Sequence, residues 1–384
     1  MDVRSINSGI CIDGFKAAGI KEGKYGVALI VNDKICESAG VFTTNSIKGA
    51  HIPVDRKRLK NGFQAIVINS GNANACVKSG VGDAEKMCEI AGRELDIDLK
   101  HIGVASTGII GRKLDLKRIE NLIKKASLRL SNSPDGSESA AKAIMTTDTK
   151  SKQISFEYKG IKIGGICKGA GMIAPNLATM LCFLTTNAEL DRETLQRILE
   201  RAVKDSFNLL VIDGDMSTND TVLLMSNRRK PCNSKDFQYL LSYTTKEMAK
   251  LMAMDGEGAT KFLQVELQGA KTVNDARTGA KAIISSPLVK TAVFGENPNW
   301  GRIIAAMGSE IDFDFEKTDI LFESKKSKAY VVKKGKAMDL DKARNILREK
   351  EIRIVINLNS GKEKAMAWGC DLTSDYIRIN ASYN

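Results

Sequence analysis

Histidine is almost absent from this 384-residue chain, which carries only His51 and His101. A structural zinc site needs four convergent Cys or His ligands. The eight cysteines (Cys11, Cys36, Cys76, Cys88, Cys167, Cys182, Cys232 and Cys370) lie far apart, with no C-x-x-C pair, mostly in apolar surroundings such as TMLCFL. They read as reduced core thiols, and no metal is expected. Aromatic residues make up 5% of the chain, few for stacking on bases. The formal charge of +12 is spread out except at KKSK (325–328) and KKGK (333–336). It therefore reads as a solvated lysine-rich hairpin and a mild attraction for an acidic small substrate, and nucleic acid is not expected as a partner. No 18 uncharged apolar residues run together, and the opening MDVRSINSGICIDGFKAAGIKEG has no apolar stretch of leader length. The expectation is a cytoplasmic enzyme with no membrane partner. No G-x-G-x-x-G opens a helix, so a dinucleotide-binding fold is not expected.

What is present is ordinary for a globular protein: 43% apolar and 27% charged residues, in a length that favours two domains. In DLKRIENLIKKASLRLS, Leu116, Ile119, Leu122, Ile123, Ala126 and Leu130 fall on one helical face. DRETLQRILERAVKDSF does the same with Leu195, Ile198, Leu199, Ala202 and Val203, behind Asp191 as N-cap. Residues 82–95 and 339–351 are further surface helices by the same pattern. Strand-like runs occupy 26–32, 63–69, 161–167, 179–186, 209–213, 221–226, 262–268 and 352–359. TMLCFL and LLVI are apolar throughout and read as fully buried strands. Strands and helices cluster without steady βαβ alternation, which predicts an α+β fold, a layered sandwich of mixed and antiparallel sheets flanked by helices. The expected boundary follows residue 275. Residues 1–275 form the larger sandwich domain and 276–384 a smaller α/β domain, with NDARTGAKAIISSPLVK (274–290) as a bridging helix ending before Pro287.

The chemically informative stretch is KGAGMIAPNLATMLCFL (168–184), a glycine-rich, proline-bent loop running directly into an apolar strand. Gly169 and Gly171 permit unusual dihedrals, while Pro175 fixes its own φ and pushes Ala174 out of the helical region. Thr179 begins the strand, with a branched Cβ that limits its rotamers. Its hydroxyl can be aimed at the preceding carbonyl, exchanging the Ala178 amide for an ester that water opens. The product is an N-terminal threonine whose α-amine, titrating near pH 8 in small models, can serve as base for its own Oγ. On spacing alone the same residues also fit an ordinary turn before a strand.

KGAGMIAPNLATML resembles the processing motif of ornithine acetyltransferases (glutamate N-acetyltransferases), self-cleaving enzymes of arginine biosynthesis in which the break falls between Ala and Thr. Also similar to that family, in order and character, are GFKAAGIKEGK (14–24), NSGNANAC (69–76), STGIIG (106–111), IMTTDT (144–149), DGDMSTNDTVLL (213–224), DGEGATKF (255–262), SSPLVKTAVFGENPNWGRIIAAMG (285–308) and YIRINA (376–381). The resemblance implies an N-terminal-nucleophile-type sandwich cut into an α chain of residues 1–178 and a β chain of residues 179–384, assembled as α2β2. It implies Thr179 as nucleophile, with Thr107 and Gly108 as the oxyanion hole. It implies substrate contacts by Thr146 or Thr147, Lys168, Thr179, Glu257 and Asn380. Lys168 would meet a carboxylate as a point charge, and Glu257 would meet amino groups. Ala174 stands where members commonly carry histidine and Ala170 where serine is usual. The family's further substrate-contacting threonine would lie beyond Asn384.

The implied reaction is ping-pong acetyl transfer from N-acetylornithine to glutamate through acetyl-Thr179, with no cofactor. Acetyl-CoA is an alternative donor for some members, and these residues do not decide whether it serves here. Rival readings are a self-processing aminopeptidase or amidase that passes its acyl group to water, a non-enzymatic binding protein, and a haloacid-dehalogenase-type phosphatase suggested by LLVIDGDMST (209–218). The phosphatase reading needs a helix after the motif, where the sequence offers the strand-like TVLLMS.

Overall fold

A computed structural model describes residues 2–173 and 180–382. The chain divides into two compact units, residues 1–169, 176–204 and 216–248 in the first and 170–175, 205–215 and 249–384 in the second. This division differs from a single cut after residue 275. The strand at 262–270 pairs with strands from the C-terminal part and so belongs with them, while 205–215 contributes a short edge to the same sheet.

The strands of the first unit are β1 (Arg4–Ser5), β2 (Phe15–Glu22), β3 (Tyr25–Phe42), β4 (Phe63–Asn72), β5 (Ile102–Ile109), β6 (Lys152–Tyr158), β7 (Ile161–Lys168) and β8 (Leu181–Glu189). After the two-residue β9 (Leu210–Val211) of the second unit comes β10 (Thr221–Pro231). The helices are α1 (His51–Arg58), α2 (Gly80–Leu95), α3 (Leu116–Ser127), α4 (Pro134–Ile144), α5 (Arg192–Lys204) and α6 (Ser234–Met254), the last running from one unit into the other. The long β3 joins two leaves. Its first half pairs antiparallel with β2 and β4, and residues 37–42 pair with β10. On one side β5 lies parallel to β4; on the other the order runs β10, β8, β7, β6 and β1, with β8 parallel to β10. Mixed sheets flanked by helices are what the clustered elements predicted.

Alternation along the strands builds the layers. Leu181, Phe183, Leu223 and Met225 from one leaf share a core with Ala28, Ile30, Ile66 and Ile68 from the other. The opposite face of the second leaf, with Val27, Leu29, Ala65 and Val67, packs on Ala84, Met87, Cys88, Ile119, Leu122 and Ile123 of α2 and α3. α4 adds Ala140, Ala141 and Ala143 to the shared core. It lies so close to β2 that a Cβ on Gly19 would come within 2.1 Å of the Ser139 carbonyl oxygen.

The second unit has a seven-stranded sheet in the order β14, β13, β12, β15, β11, β16, β9. Its members are β11 (Phe262–Ala270), β12 (Asp319–Glu323), β13 (Lys328–Lys333), β14 (Lys336–Ala337), β15 (Glu351–Asn357) and β16 (Glu363–Cys370). The helix α7 (Val273–Ser285) buries Ala276, Ala280, Ile283 and Ile284 and ends before Pro287, which opens α8 (Pro287–Phe294). Then come α9 (Trp300–Gly308), α10 (Asp341–Leu347) and α11 (Ser374–Ser382). The helix expected over 339–351 is the shorter α10, because Glu351 already pairs with Phe262 in the sheet. Of the strand expected over 209–213, Leu210 and Val211 alone pair, with β16. Among the described residues no helix is long and apolar enough to cross a membrane.

Candidate functional site

Thr107 and Gly108 stand near the end of β5, opposite Ser70 and Gly71 of β4, where the parallel register becomes irregular at Asn72. The threonine is buried. Gly108 has φ +132, and a Cβ there would fall 2.3 Å from the Gly71 carbonyl carbon, so glycine is required twice over. The adjoining NSGNANAC segment is fixed by its own asparagines: Asn69 Nδ2 donates to the Asn72 carbonyl (2.9 Å), and Asn72 Nδ2 donates to the Arg112 and Lys113 carbonyls at 3.0 and 3.1 Å. Asn219 Nδ2 ties the ends of both strands together, donating to the carbonyls of Ala73 (2.6 Å) and Ser106 (2.8 Å).

Lys168 ends β7 and is buried. Beside it lies Asp148, whose Oδ1 accepts from Lys152 Nζ and from the Gly169 N–H, both at 2.7 Å, and whose Oδ2 accepts from the Thr146 N–H at 3.0 Å. Burial pushes this carboxyl upward, but the ammonium groups of Lys168 and Lys152, with the hydrogen bonds, outweigh it and bring the pKa down to about 2. Asp148 is thus ionised. It joins two expected substrate contacts, Lys168 and the Thr146 turn; Thr147 follows in that turn, half-buried. Lys21 Nζ bridges onward, donating to Ser70 Oγ (2.9 Å) and to the Met145 carbonyl. Burial, with repulsion from Lys168, lowers its pKa to about 8 against the pull of Asp148. The first unit therefore connects Thr107, Gly108, Thr146 and Lys168 through Ser70, Lys21 and Asp148. His51, the one histidine in contact with this region, donates or accepts at Nε2 with Thr221 Oγ1 (2.9 Å), and burial drops its pKa to about 4. It is neutral at physiological pH and held in the core.

In the second unit the buried Glu257 accepts at Oε2 from Asn380 Nδ2 (2.8 Å), so these two expected contacts meet each other. The Glu257 N–H donates to the Ala170 carbonyl (2.8 Å), and a Cβ on Gly171 would lie 2.3 Å from the Glu257 carboxyl carbon. A side chain at position 171 would have to displace the Glu257 carboxyl. Asp213 accepts at Oδ2 from the Met172 N–H (2.6 Å) and at Oδ1 from the N–H groups of Ile173 (2.8 Å) and Asp215 (3.2 Å). Where the phosphatase reading would place a nucleophile, the structure has an acceptor for three main-chain groups, and β10 follows instead of a helix.

The expected cleavage pair, Ala178 and Thr179, lies outside the described residues, as do Ala174 and Pro175. On its far side Met180 is fixed by two hydrogen bonds, its N–H to Asp220 Oδ1 (3.1 Å) and its carbonyl from the Thr221 N–H (3.0 Å). Lys21, Asp148, Asn219 and Asp220 carry no role in the sequence reading, although all four stand in the quoted segments GFKAAGIKEGK, IMTTDT and DGDMSTNDTVLL. Asp148, Asn219 and Asp220 are buried polar residues, whereas Lys21 is exposed and reaches inward only with its Nζ.

The ArgJ family pattern matches residues 14–384. The glutamate N-acetyltransferase of Methanocaldococcus jannaschii is 46% identical over 99% of this chain and 100% of its own length. That of Methanothermobacter thermautotrophicus is 43% identical over 100% of this chain and 99% of its own. The arginine biosynthesis bifunctional protein ArgJ of Caldanaerobacter subterraneus is 44% identical over 95% and 94%. Shared at this level along the whole length, the sequence makes the chain an enzyme of the ArgJ family.

Proposed function

We propose that the chain transfers an acetyl group from N-acetylornithine to glutamate in arginine biosynthesis, after cleaving itself between Ala178 and Thr179. The observation that carries the reading is the full-length likeness to glutamate N-acetyltransferases. The geometry supports it with a Thr107–Gly108 strand end packed closely on Gly71 and a buried Lys168 beside an ionised Asp148. In cleavage, Thr179 Oγ bonds to the Ala178 carbonyl carbon, the C–N bond breaks, and the hydroxyl proton passes to the threonine nitrogen. Water then opens the ester to give a free hydroxyl and a carboxyl-terminated α chain. In turnover the same oxygen attacks the acetyl carbonyl of N-acetylornithine while the Thr107 hydroxyl and Gly108 N–H donate to the developing oxyanion. The α-amine of Thr179 carries the proton to departing ornithine, and glutamate takes the acetyl group by the reverse steps. Lys168 and Thr146 or Thr147 receive the substrate carboxylate side, and Glu257 with Asn380 receives amino groups. The mature assembly is α2β2, the cycle needs no cofactor, and acetyl-CoA is the alternative donor to be tested.

The decisive experiment pairs intact-mass analysis with a donor assay. Freshly purified protein should give two masses, 1–178 and 179–384, and Thr179→Ala one uncleaved, inactive chain. One intact mass in fully active material overturns the reading. With N-acetylornithine and glutamate, acetylglutamate should form much faster than free acetate; acetate as the main product would instead identify a hydrolase. Acetyl-CoA in place of N-acetylornithine answers the donor question directly.

A further inference from the structure

One row of residues crosses the sheet of the first unit from β2 to β5: Lys21 pairs with Gly26, Gly26 with Ser70, and Ser70 with Thr107. Residues paired in this way face the same side of a sheet. Gly26 leaves the second place in the row empty. A Cβ there would fall 2.1 Å from the Ala143 carbonyl oxygen, 2.8 Å from Ser70 Oγ and 3.0 Å from Lys21 Cδ. The Lys21 side chain crosses that gap, and its Nζ donates to Ser70 Oγ (2.9 Å) and to the carbonyls of Ala143 (3.5 Å) and Met145. Ser70 Oγ in turn donates to the Ala143 carbonyl at 2.6 Å. The ammonium thus stands one strand spacing, about 5 Å, from the column of Thr107. The Met145 carbonyl and the Thr146 N–H belong to one peptide unit. Lys21 holds its oxygen and the ionised Asp148 holds its N–H at 3.0 Å, so opposite charges fix that plane from both ends. Capping the end of α4 accounts for the two carbonyls, but not for a row that runs on to Thr107 or for the anion on the same peptide.

We propose that Lys21 is a positioning residue for substrate: it sets the Thr146 turn against the Ser70–Thr107 end of the sheet and, beside Lys168, supplies positive charge that selects a carboxylate-bearing donor and acceptor. The assignment rests on the acetyl-transfer reading above. The three ammonium hydrogens are spent on Ser70 Oγ and the two carbonyls, so Lys21 acts on substrate through the turn and through its field rather than by contact. Lys168 repels Lys21 and Asp148 attracts it, while Asp148 also serves Lys152 and Lys168. One carboxylate shared by three ammonium groups leaves the group with excess positive charge, which draws an anion toward Thr146 and Lys168. Glutamate carries two carboxylates and N-acetylornithine one, so the acceptor feels this charge at least as strongly as the donor.

The test uses the full-length enzyme as wild type, Lys21→Met, Lys21→Gln and Lys21→Arg. Acetylglutamate formation is measured with N-acetylornithine and with its α-carboxamide as donor, the Ki of the carboxamide serving where it reacts too slowly. Lys21→Met should raise the KM for N-acetylornithine about tenfold, and that for glutamate at least as much, with kcat within about threefold of wild type. Lys21→Gln keeps a donor for the Met145 carbonyl and should fall between the two. Lys21→Arg keeps the charge and should stay within about threefold of wild type. Replacing the carboxylate by the carboxamide should weaken the wild type at least about fivefold more than it weakens Lys21→Met, the coupling expected of a charge that acts on the carboxylate. A wild type that makes no acetylglutamate from N-acetylornithine removes the underlying reading itself. An active wild type beside Lys21→Met and Lys21→Gln enzymes with unchanged KM overturns the role of Lys21. So do equal losses for the two donors, the mark of a helix cap alone. Where Lys21→Met does not fold, the same comparison between Lys21→Gln and Lys21→Arg decides.

Discussion

At the scale of single residues, the candidate site is governed by charges taken out of water. Asp148 is buried with the Lys152 ammonium on its Oδ1 and the Lys168 ammonium beside it, and it stays ionised because their attraction exceeds the burial penalty. Its folded pKa of about 2 lies below the ordinary 3.8. The folded chain therefore binds fewer protons here than the unfolded one, and the stabilisation is fully present above about pH 4 and lost as pH falls toward 2. Asp148→Asn removes the carboxylate that both lysines share. It should cost about 3 kcal/mol near pH 7, less what solvent relaxation recovers. Melting temperatures from pH 7 down to 2 check this: the wild type should lose stability steeply below pH 4 and the variant less so. Equal melting temperatures at pH 7 would remove Asp148 from the account.

At the scale of elements, what positions the chemistry is a set of turns whose main-chain groups are capped from a distance in sequence. Asp213 holds Met172 and Ile173, and Met172 sits at φ +55, an uncommon conformation for a residue with a side chain. Asp213→Ala should free both N–H groups, so amide exchange at Met172 and Ile173 should accelerate about tenfold or more, a hydrogen bond to a carboxyl being worth about 1.5–3 kcal/mol. Unchanged exchange would mean the loop is held by something else. These caps were not legible in the sequence, because Asp213 and Met172 are 41 positions apart and nothing local links them. Strongly periodic pieces were legible. α3 and α5 form where expected, with Asp115 and Asp191 accepting from the N–H groups of Arg118 and Thr194. α6 was missed because Thr244 and Thr245 are buried in its middle and blur the apolar period, Thr244 Oγ1 donating back to the Leu240 carbonyl at 2.8 Å. α4 was missed because it packs through Gly136, Ser137 and alanines, which carry little hydrophobic signal. β5 carries the proposed oxyanion residues in a run of Gly, Ser and Thr, which resembles a turn until its pairing with β4 is seen.

At the scale of the whole molecule, the proposed cut has a mechanical consequence. A break after residue 178 would assign β1 to β7 to one chain and β8 and β10 to the other, yet the strands are interleaved in the first unit. β7 and β8 pair from Lys168↔Leu181 to Ile163↔Thr186, and β10 lies between β8 of its own chain and β3 of the other, with Thr221↔Phe42 to Ser226↔Glu37 in register. Leu181, Phe183, Leu223 and Met225 of the second chain are buried in one core with Phe15, Ile30, Phe63 and Ile66 of the first. Separating the chains would expose that core and leave two ladders unpaired, costs far larger than an ordinary interface recovers in water. The processed enzyme should therefore run as two bands under denaturing conditions and elute as one species at native pH. In rising denaturant the parts of both chains that build the first unit should lose structure and part company in a single transition. Chains that separate in dilute buffer while each keeps its fold would show that the sheet is not shared across the cut.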